Sequence, residues 1–418
     1  MVEHRPRLRG NVFIPGDKSI SHRALILAAI SDYKTTIHHF LRSTDTMATL
    51  HACRQLGVPI TLEKELIIVE GVGLDGLRAP TQPLDLGNSG TGFRLLAGLL
   101  AGQKFNSMLT GDSSLKSRPM ERIFGPLRLM GATIDASQFP VHIYGQPLKG
   151  IQYSLPIPSA QVKSCLLLAS LYATGKTVIT ETVPTRDHTE RLLAFFPSPY
   201  STLSPSGGRE LIDCCIPGDI SSAAFFMVGA SILPGSDILL KSIGVNPTRL
   251  GIVHILRLMG ADITLKNDQM MGQEPVADIR VRYAPLRGIE IPQEYIVSAI
   301  DEFPIIFIAA ACAQGTTRLT GAAELRVKES DRIASMVLGL QTLGIKATAL
   351  PEGVVIEGGK FTGGTVDSYG DHRVAMAFAI AGLVAQAEVN VLNRTNISTS
   401  FPDFDTVAKQ LGMKINES

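Results

Sequence analysis

One segment of this chain returns about 202 residues later, and that repeat limits the possible folds more than any other feature. IPGDKSISHRALILAAIS from Ile14 and IPGDISSAAFFMVGASIL from Ile216 share Ile-Pro-Gly-Asp, then hydroxyl residues, then a small apolar run. Four more segments have the same grammar: GNSGTGFRLLAGLLAG from Gly87, PSAQVKSCLLLASLYATG from Pro158, DEFPIIFIAAACAQG from Asp301 and GDHRVAMAFAIAGLVA from Gly370. At an average spacing of about 71 residues, six copies tile the 418-residue chain. Runs that are apolar nearly all round predict interior helices. Each opens with Ser, Asp, Asn or a Pro-Ser pair, the residue types that cap helix N-termini.

A second element lies between them: LHACRQLGVPITL, PLRLMGATIDA, ILRLMGADITL, LQTLGIKATAL and VAKQLGMKI. Each reads as an amphipathic helix, a Gly in the left-handed position after it, and an alternating strand. The sixth copy should fall near Leu192 to Tyr200. The text there, LLAFFPSPYSTLSPSGG, lacks the Gly and is rich in Pro and Ser, so a loop or truncated element is expected in that stretch. The resulting expectation is an α/β protein of six βα units, three per domain. Residues 1–15 with 217–418 form one domain and 16–216 the other, and the chain crosses at Pro15-Gly16 and Pro217-Gly218. Helices running parallel in each half would collect their positive ends at a cleft between the domains, which is an anion site by construction.

Composition narrows the partners. Apolar residues make up 45% of the chain and charged residues 18%, enough to bury large cores. A net charge of +1 provides no field to hold nucleic acid or an acidic membrane. No apolar run approaches the ~18 residues of a membrane span, and the basic, polar start lacks a signal-peptide core. Five cysteines, Cys53, Cys165, Cys214, Cys215 and Cys312, show no C-x-x-C spacing, which fits a reducing cytoplasm and no zinc cage. Cys214-Cys215 should pack as small apolar side chains. His38-His39 and His188 lack an H-E-x-x-H pattern and are expected to be solvated or capping, with no metal site. Gly175-Lys176-Thr177 follows a helix instead of preceding one, and Gly87, Gly90 and Gly92 lack dinucleotide-binding spacing, so no cofactor is expected.

Ionisable residues nevertheless gather at the helix starts and nearby connections: Asp17, Lys18, His22, Arg23, Arg94, Arg118, Lys163, Arg186, Asp301, Glu302, Lys328, Glu329, Arg332, Asp371, His372 and Arg373. A solvated cap explains any one of them, and a catalytically silent repeat scaffold would explain the periodicity. Several Arg and Lys donors in one register instead point to phosphate and carboxylate recognition. Asp301 and Glu329, among those cations, are candidates for proton transfer or for pairing with the arginines.

IPGDKSISHRA, LGNSGTGFR, GDSSLKSRPM, PSAQVKS, LRVKESDRI, GDHRVAMAFA and SFPDF occur in this order, and together they resemble the 5-enolpyruvylshikimate-3-phosphate synthase family from about Arg7 to Leu411. The resemblance implies the enolpyruvyl transferase fold, a two-domain inside-out α/β barrel with the active site in the interdomain cleft. It also implies 3-phosphoshikimate 1-carboxyvinyltransferase activity: phosphoenolpyruvate gives its enolpyruvyl group to the 5-hydroxyl of shikimate 3-phosphate, releasing phosphate on the way to chorismate and the aromatic amino acids. Carried over by motif, Lys18, Ser19, Arg23, Ser159, Ala160, Gln161, Arg186, Asp301 and Lys328 contact shikimate 3-phosphate. Lys18, Asn88, Gly90, Arg118, Gln161, Arg332, His372 and Arg373 cradle phosphoenolpyruvate. Asp301 takes the hydroxyl proton, while Glu329, helped by Lys18, is the expected acid at the methylene carbon.

Two positions depart from the family's better-known branch. Thr399 stands where that branch often has a Lys, so one phosphate-binding cation is expected to be missing or supplied elsewhere, and Leu95 replaces a Pro. Gly90 is retained, which implies that glyphosate competes with phosphoenolpyruvate beside shikimate 3-phosphate, weakened to whatever extent Leu95 alters the pocket. The sister enzyme acting on UDP-N-acetylglucosamine usually carries a Cys in the GDSSLKSRPM loop, and none lies between Cys53 and Cys165 here. The expected state is a cytoplasmic monomer.

Overall fold

The structure, a computed structural model, describes residues 7–196 and 211–414. The expected irregular stretch therefore lies partly outside the described residues, namely 197–210. Twelve helices of at least seven residues alternate in the described chain between inner and outer positions. The inner ones are α1 (Lys18–Ala29), α3 (Gly90–Ala101), α5 (Ala160–Ser170), α7 (Ile220–Ile232), α9 (Phe303–Cys312) and α11 (His372–Ala381). The outer ones are α2 (Thr44–Gln55), α4 (Glu121–Leu129), α6 (His188–Phe195), α8 (Gly251–Leu258), α10 (Arg332–Thr342) and α12 (Phe404–Gln410).

The apolar runs set the inner positions. Every residue of α7 is buried, as are nine of the ten in α9. The outer helices bury one face and end as predicted: Gly57, Gly131, Gly260, Gly344 and Gly412 all follow a helix with φ between +82° and +101°, where a side chain would be strained. The sixth outer element corrects the expectation in part. Residues 188–195 form α6, a full two turns, so the helix survives although its terminating Gly is gone.

The chain divides into two compact units, one of residues 1–15, 217–270 and 275–418, the other of residues 16–216 with 271–274. Met271–Glu274, the tip of a hairpin between strands Asp262–Met271 and Glu274–Arg282, thus groups with the second unit and not with the rest of 217–418. Each unit has its own apolar core. In the first, α7, α9 and α11 pack on one another. In the second, α3 packs on both α1 and α5.

Inner helices connect parallel strands. Leu84–Asp85 and Ser107–Thr110 flank α3, Gln152–Ser154 and Val178–Thr180 flank α5, and Gly364–Asp367 and Val389–Leu392 flank α11. At α1 and α7 the partners are exchanged. Arg9–Phe13, which precedes α1, pairs with Asp237–Gly244 after α7, and Leu211–Cys215, which precedes α7, pairs with Lys34–His38 after α1. Each unit's strands therefore close on themselves while the chain passes to the other unit at the two Ile-Pro-Gly-Asp segments.

Three smaller expectations need correction. His188 is neither solvated nor a simple cap: it is buried, with Nδ1 2.6 Å from Oε1 of Glu274. Cys214 is buried, but Cys215, on the opposite face of its strand, is exposed. Asp301 does not cap α9. Its N-cap is Glu302, which makes no side-chain cap bond, and the Asp301 carboxylate pairs with Lys328 and Arg332.

Candidate active site

In the unit of residues 16–216, N-caps set where the polar groups stand. Asp17 caps α1 by accepting from the Ile20 amide at 2.9 Å, Ser89 caps α3 and Ser159 caps α5. Lys18 therefore sits on the first turn of α1, its ammonium 3.0 Å from Oδ2 of Asp45 on α2. One turn on, the buried Arg23 donates through Nε to Oγ1 of Thr189 (2.8 Å), through Nη2 to Oγ of Ser164 (2.8 Å) and through Nη1 to the carbonyl of Ser19 (2.9 Å). Two hydroxyls and a carbonyl orient the guanidinium.

A second group surrounds the start of α3. Arg118 donates to Oδ1 of Asn88 (2.6 Å), and the Asn88 amide donates to Oδ2 of Asp112 (2.7 Å). Arg94 donates to Oε1 of Gln161 (2.6 Å), whose amide in turn donates to Oγ1 of Thr91 (3.1 Å). Gly90 lies between the two arginines, and a Cβ there would stand 2.8 Å from Nη1 of Arg94 and 2.9 Å from Nη1 of Arg118. Ala160 opens α5 after its cap, and Arg186 is half-buried in the connection before α6.

The other unit holds Asp301, Lys328, Glu329, Arg332, His372 and Arg373. Arg332, at the start of α10, is 1% exposed and touches three carboxylates: Nε lies 2.8 Å from Asp371 Oδ2, Nη2 2.6 Å from Glu329 Oε2 and Nη1 3.5 Å from Asp301 Oδ1. Lys328 is 3.3 Å from the same Asp301 oxygen. Burial alone would push the Arg332 pKa down, but Asp371, Glu329 and Asp301 outweigh it, and the net shift is upward. The guanidinium is a fixed positive charge between the two candidate acids. Asp371 also caps α11 by accepting from the Arg373 amide at 2.9 Å, so one carboxylate orients both Arg332 and the helix start that carries His372 and Arg373.

The structure brings the predicted residues together as two sets, one in each unit. Sequence reasoning missed Asp45, Thr189 and Ser164, neutral or acidic neighbours that aim the cations. Their signal is weak because each lies on a helix remote in sequence from the residue it holds. Thr399 is buried and its hydroxyl donates to the Asn396 carbonyl (2.7 Å), so it makes its own turn and supplies no charge. Leu95 is fully buried in the apolar core of its unit.

A family model described as EPSP synthase (3-phosphoshikimate 1-carboxyvinyltransferase) matches residues 2–407. The 3-phosphoshikimate 1-carboxyvinyltransferase of Coxiella burnetii is 56% identical, with 98% of this chain and 96% of that protein covered. The Methylococcus capsulatus protein of the same description is 54% identical over 99% and 97%. Among solved structures, the EPSP synthase of Acinetobacter baumannii superposes with a TM-score of 0.85 at 48% identity, covering 99% of this chain and 97% of that one. The enolpyruvyl transferase NikO of Streptomyces tendae reaches 0.78 at 15% identity and shares the fold. Among the described residues no helix is long and apolar enough to cross a membrane.

Proposed function

Because the chain belongs to the EPSP synthase family, as a 3-phosphoshikimate 1-carboxyvinyltransferase with the enolpyruvyl transferase fold, we propose that the two residue sets described above are its catalytic and binding groups. The enzyme transfers the enolpyruvyl group of phosphoenolpyruvate to shikimate 3-phosphate in the shikimate pathway, with loss of phosphate. The acceptor alternative, UDP-N-acetylglucosamine, is not favoured by any of these relatives.

The observation that carries the residue assignment is the cluster in which Asp301 and Glu329 flank the buried Arg332 guanidinium, with Lys328 beside Asp301. A hydroxyl is a poor nucleophile until a base accepts its proton, and enol ether formation needs a proton at the methylene carbon. Asp301 accepts the proton of the acceptor's 5-hydroxyl as its oxygen bonds to C2 of phosphoenolpyruvate. Glu329 delivers a proton to C3, giving a tetrahedral phospho-intermediate whose negative charge the arginines and lysines stabilise. Breaking the C2–O bond to phosphate and returning the C3 proton to Glu329 restores the double bond. Lys18 assists at C3 and contacts both substrates. Ser19, Arg23, Ser159, Ala160, Gln161, Arg186 and Lys328 hold shikimate 3-phosphate, while Asn88, Gly90, Arg118, Gln161, Arg332, His372 and Arg373 hold phosphoenolpyruvate.

Glu329→Gln keeps the hydrogen bond to Arg332 and removes the acid. Turnover is expected to fall by about 10²–10⁴-fold, the usual span for one proton-transfer group, with calorimetric affinity for shikimate 3-phosphate nearly unchanged. Surviving turnover would reduce Glu329 to a structural partner of Arg332. The five thiols form no disulfide among the described residues, which supports a cytoplasmic protein, and a monomer requires a light-scattering mass near 44.8 kDa.

A further inference from the structure

Lys163 lies next to the groups that hold Arg23, yet no step of the reaction requires it. It is 5% exposed on the first turn of α5, and its ammonium stands 2.8 Å from Oε1 of Glu190, 2.9 Å from Oε2 of Glu181 and 3.4 Å from the Thr185 carbonyl. The Thr185 hydroxyl donates to the other oxygen of Glu181, which closes the segment that leads directly into Arg186. The residue after Lys163 is Ser164, and the residue before Glu190 is Thr189. These two hydroxyls bond each other at 2.7 Å and both bond Arg23. Neighbouring residues of α5 thus grip neighbouring residues of α6, one pair ionic and one pair neutral, and the neutral pair holds the guanidinium. Burying an ammonium is costly, and an apolar residue would serve a packing role at lower cost.

We propose that Lys163 is a positioning residue for shikimate 3-phosphate: through Glu190 it sets α6 and hence the hydroxyl seat of Arg23, and through Glu181 and Thr185 it sets the backbone that presents Arg186. This rests on the reading of Arg23 and Arg186 as contacts of that substrate. Its consequence is selective, because the Lys163 bonds run to Glu181, Thr185 and Glu190, whereas Arg118 and Asn88 at the start of α3 are held through each other and Asp112.

The test compares Lys163→Met, which keeps the stem and removes the charge, with Glu190→Gln and Arg23→Gln. Steady-state constants are measured for each substrate, shikimate 3-phosphate affinity by calorimetry, and folding by thermal midpoint. Lys163→Met is expected to raise KM and Kd for shikimate 3-phosphate about tenfold or more, with KM for phosphoenolpyruvate and kcat within about threefold. Glu190→Gln, a milder change at a partly exposed carboxylate, should show the same selectivity at smaller amplitude, and it carries the test if Lys163→Met does not fold. Equal shifts in both KM values, or a lower thermal midpoint with unchanged affinity, would overturn the proposal. Arg23→Gln separates the two levels. If it leaves shikimate 3-phosphate affinity intact, the substrate reading itself fails; if it weakens binding while neither Lys163→Met nor Glu190→Gln does, only the positioning role fails.

Discussion

Gly90 has no room for a side chain that the two arginines would ignore, since an added methyl would meet both guanidinium ends at under 3 Å. Those ends are flexible, so Gly90→Ala is expected to fold and to push Arg94 and Arg118 aside. In inhibition assays glyphosate should compete with phosphoenolpyruvate in the wild type. Gly90→Ala should raise KM for phosphoenolpyruvate several-fold and the glyphosate inhibition constant by about tenfold or more, a shift of at least ~1.4 kcal/mol. Inhibition that is indifferent to phosphoenolpyruvate would contradict this reading of Gly90. His22 gives a pH dependence. It is fully buried with Nδ1 2.8 Å from Oγ1 of Thr49, and burial, Lys18 and Arg23 hold its pKa well below 6.5. The unfolded chain takes up a proton below about pH 6.5 and the folded one does not, so this term of stability is complete above that pH. It is lost at up to ~1.4 kcal/mol per pH unit as pH falls towards the folded value. Urea midpoints between pH 7.5 and 5.5 should show a shallower decline in His22→Gln than in the wild type. Parallel profiles would mean that His22 is not the group responsible.

At the scale of elements, what could be read from the sequence was what local chemistry decides. Small apolar runs behind a capping residue became the inner helices, and a glycine after each of five amphipathic runs took the left-handed turn it was expected to take. The failures share a cause. α6 forms without its terminating glycine: tertiary partners hold its first turn, Thr189 bonded to Arg23 and His188 to Glu274, and the chain turns extended at Phe196. Asp301 resembles a cap in sequence, but Lys328 and Arg332 hold its carboxylate, and the N-cap of α9 is Glu302, which makes no side-chain cap bond. In the candidate site the cations and both acids were legible because motif and register mark them. Their orienting partners, Asp45, Ser164, Thr189 and Asp371 in its second role, were not, because long-range packing chooses them. Long-range choice also explains why Lys163 stood out only as one more charge at a helix start.

For the whole molecule, the repeat explains how one chain makes two closed units: strands stay with their own unit while the helices that follow Ile-Pro-Gly-Asp exchange. The proposed chemistry draws on both, with Lys18, Arg23 and Arg118 from one and Asp301, Glu329 and Arg332 from the other. On that proposal, damage to either set is expected to lower the same reaction. The most direct measurement is phosphate release from phosphoenolpyruvate with shikimate 3-phosphate or UDP-N-acetylglucosamine as acceptor, for the wild type, Asp301→Asn and Arg118→Gln. Release with shikimate 3-phosphate alone, lowered by about 10²-fold or more in both variants, is the predicted result. Release with the nucleotide sugar, or full activity in either variant, would contradict it.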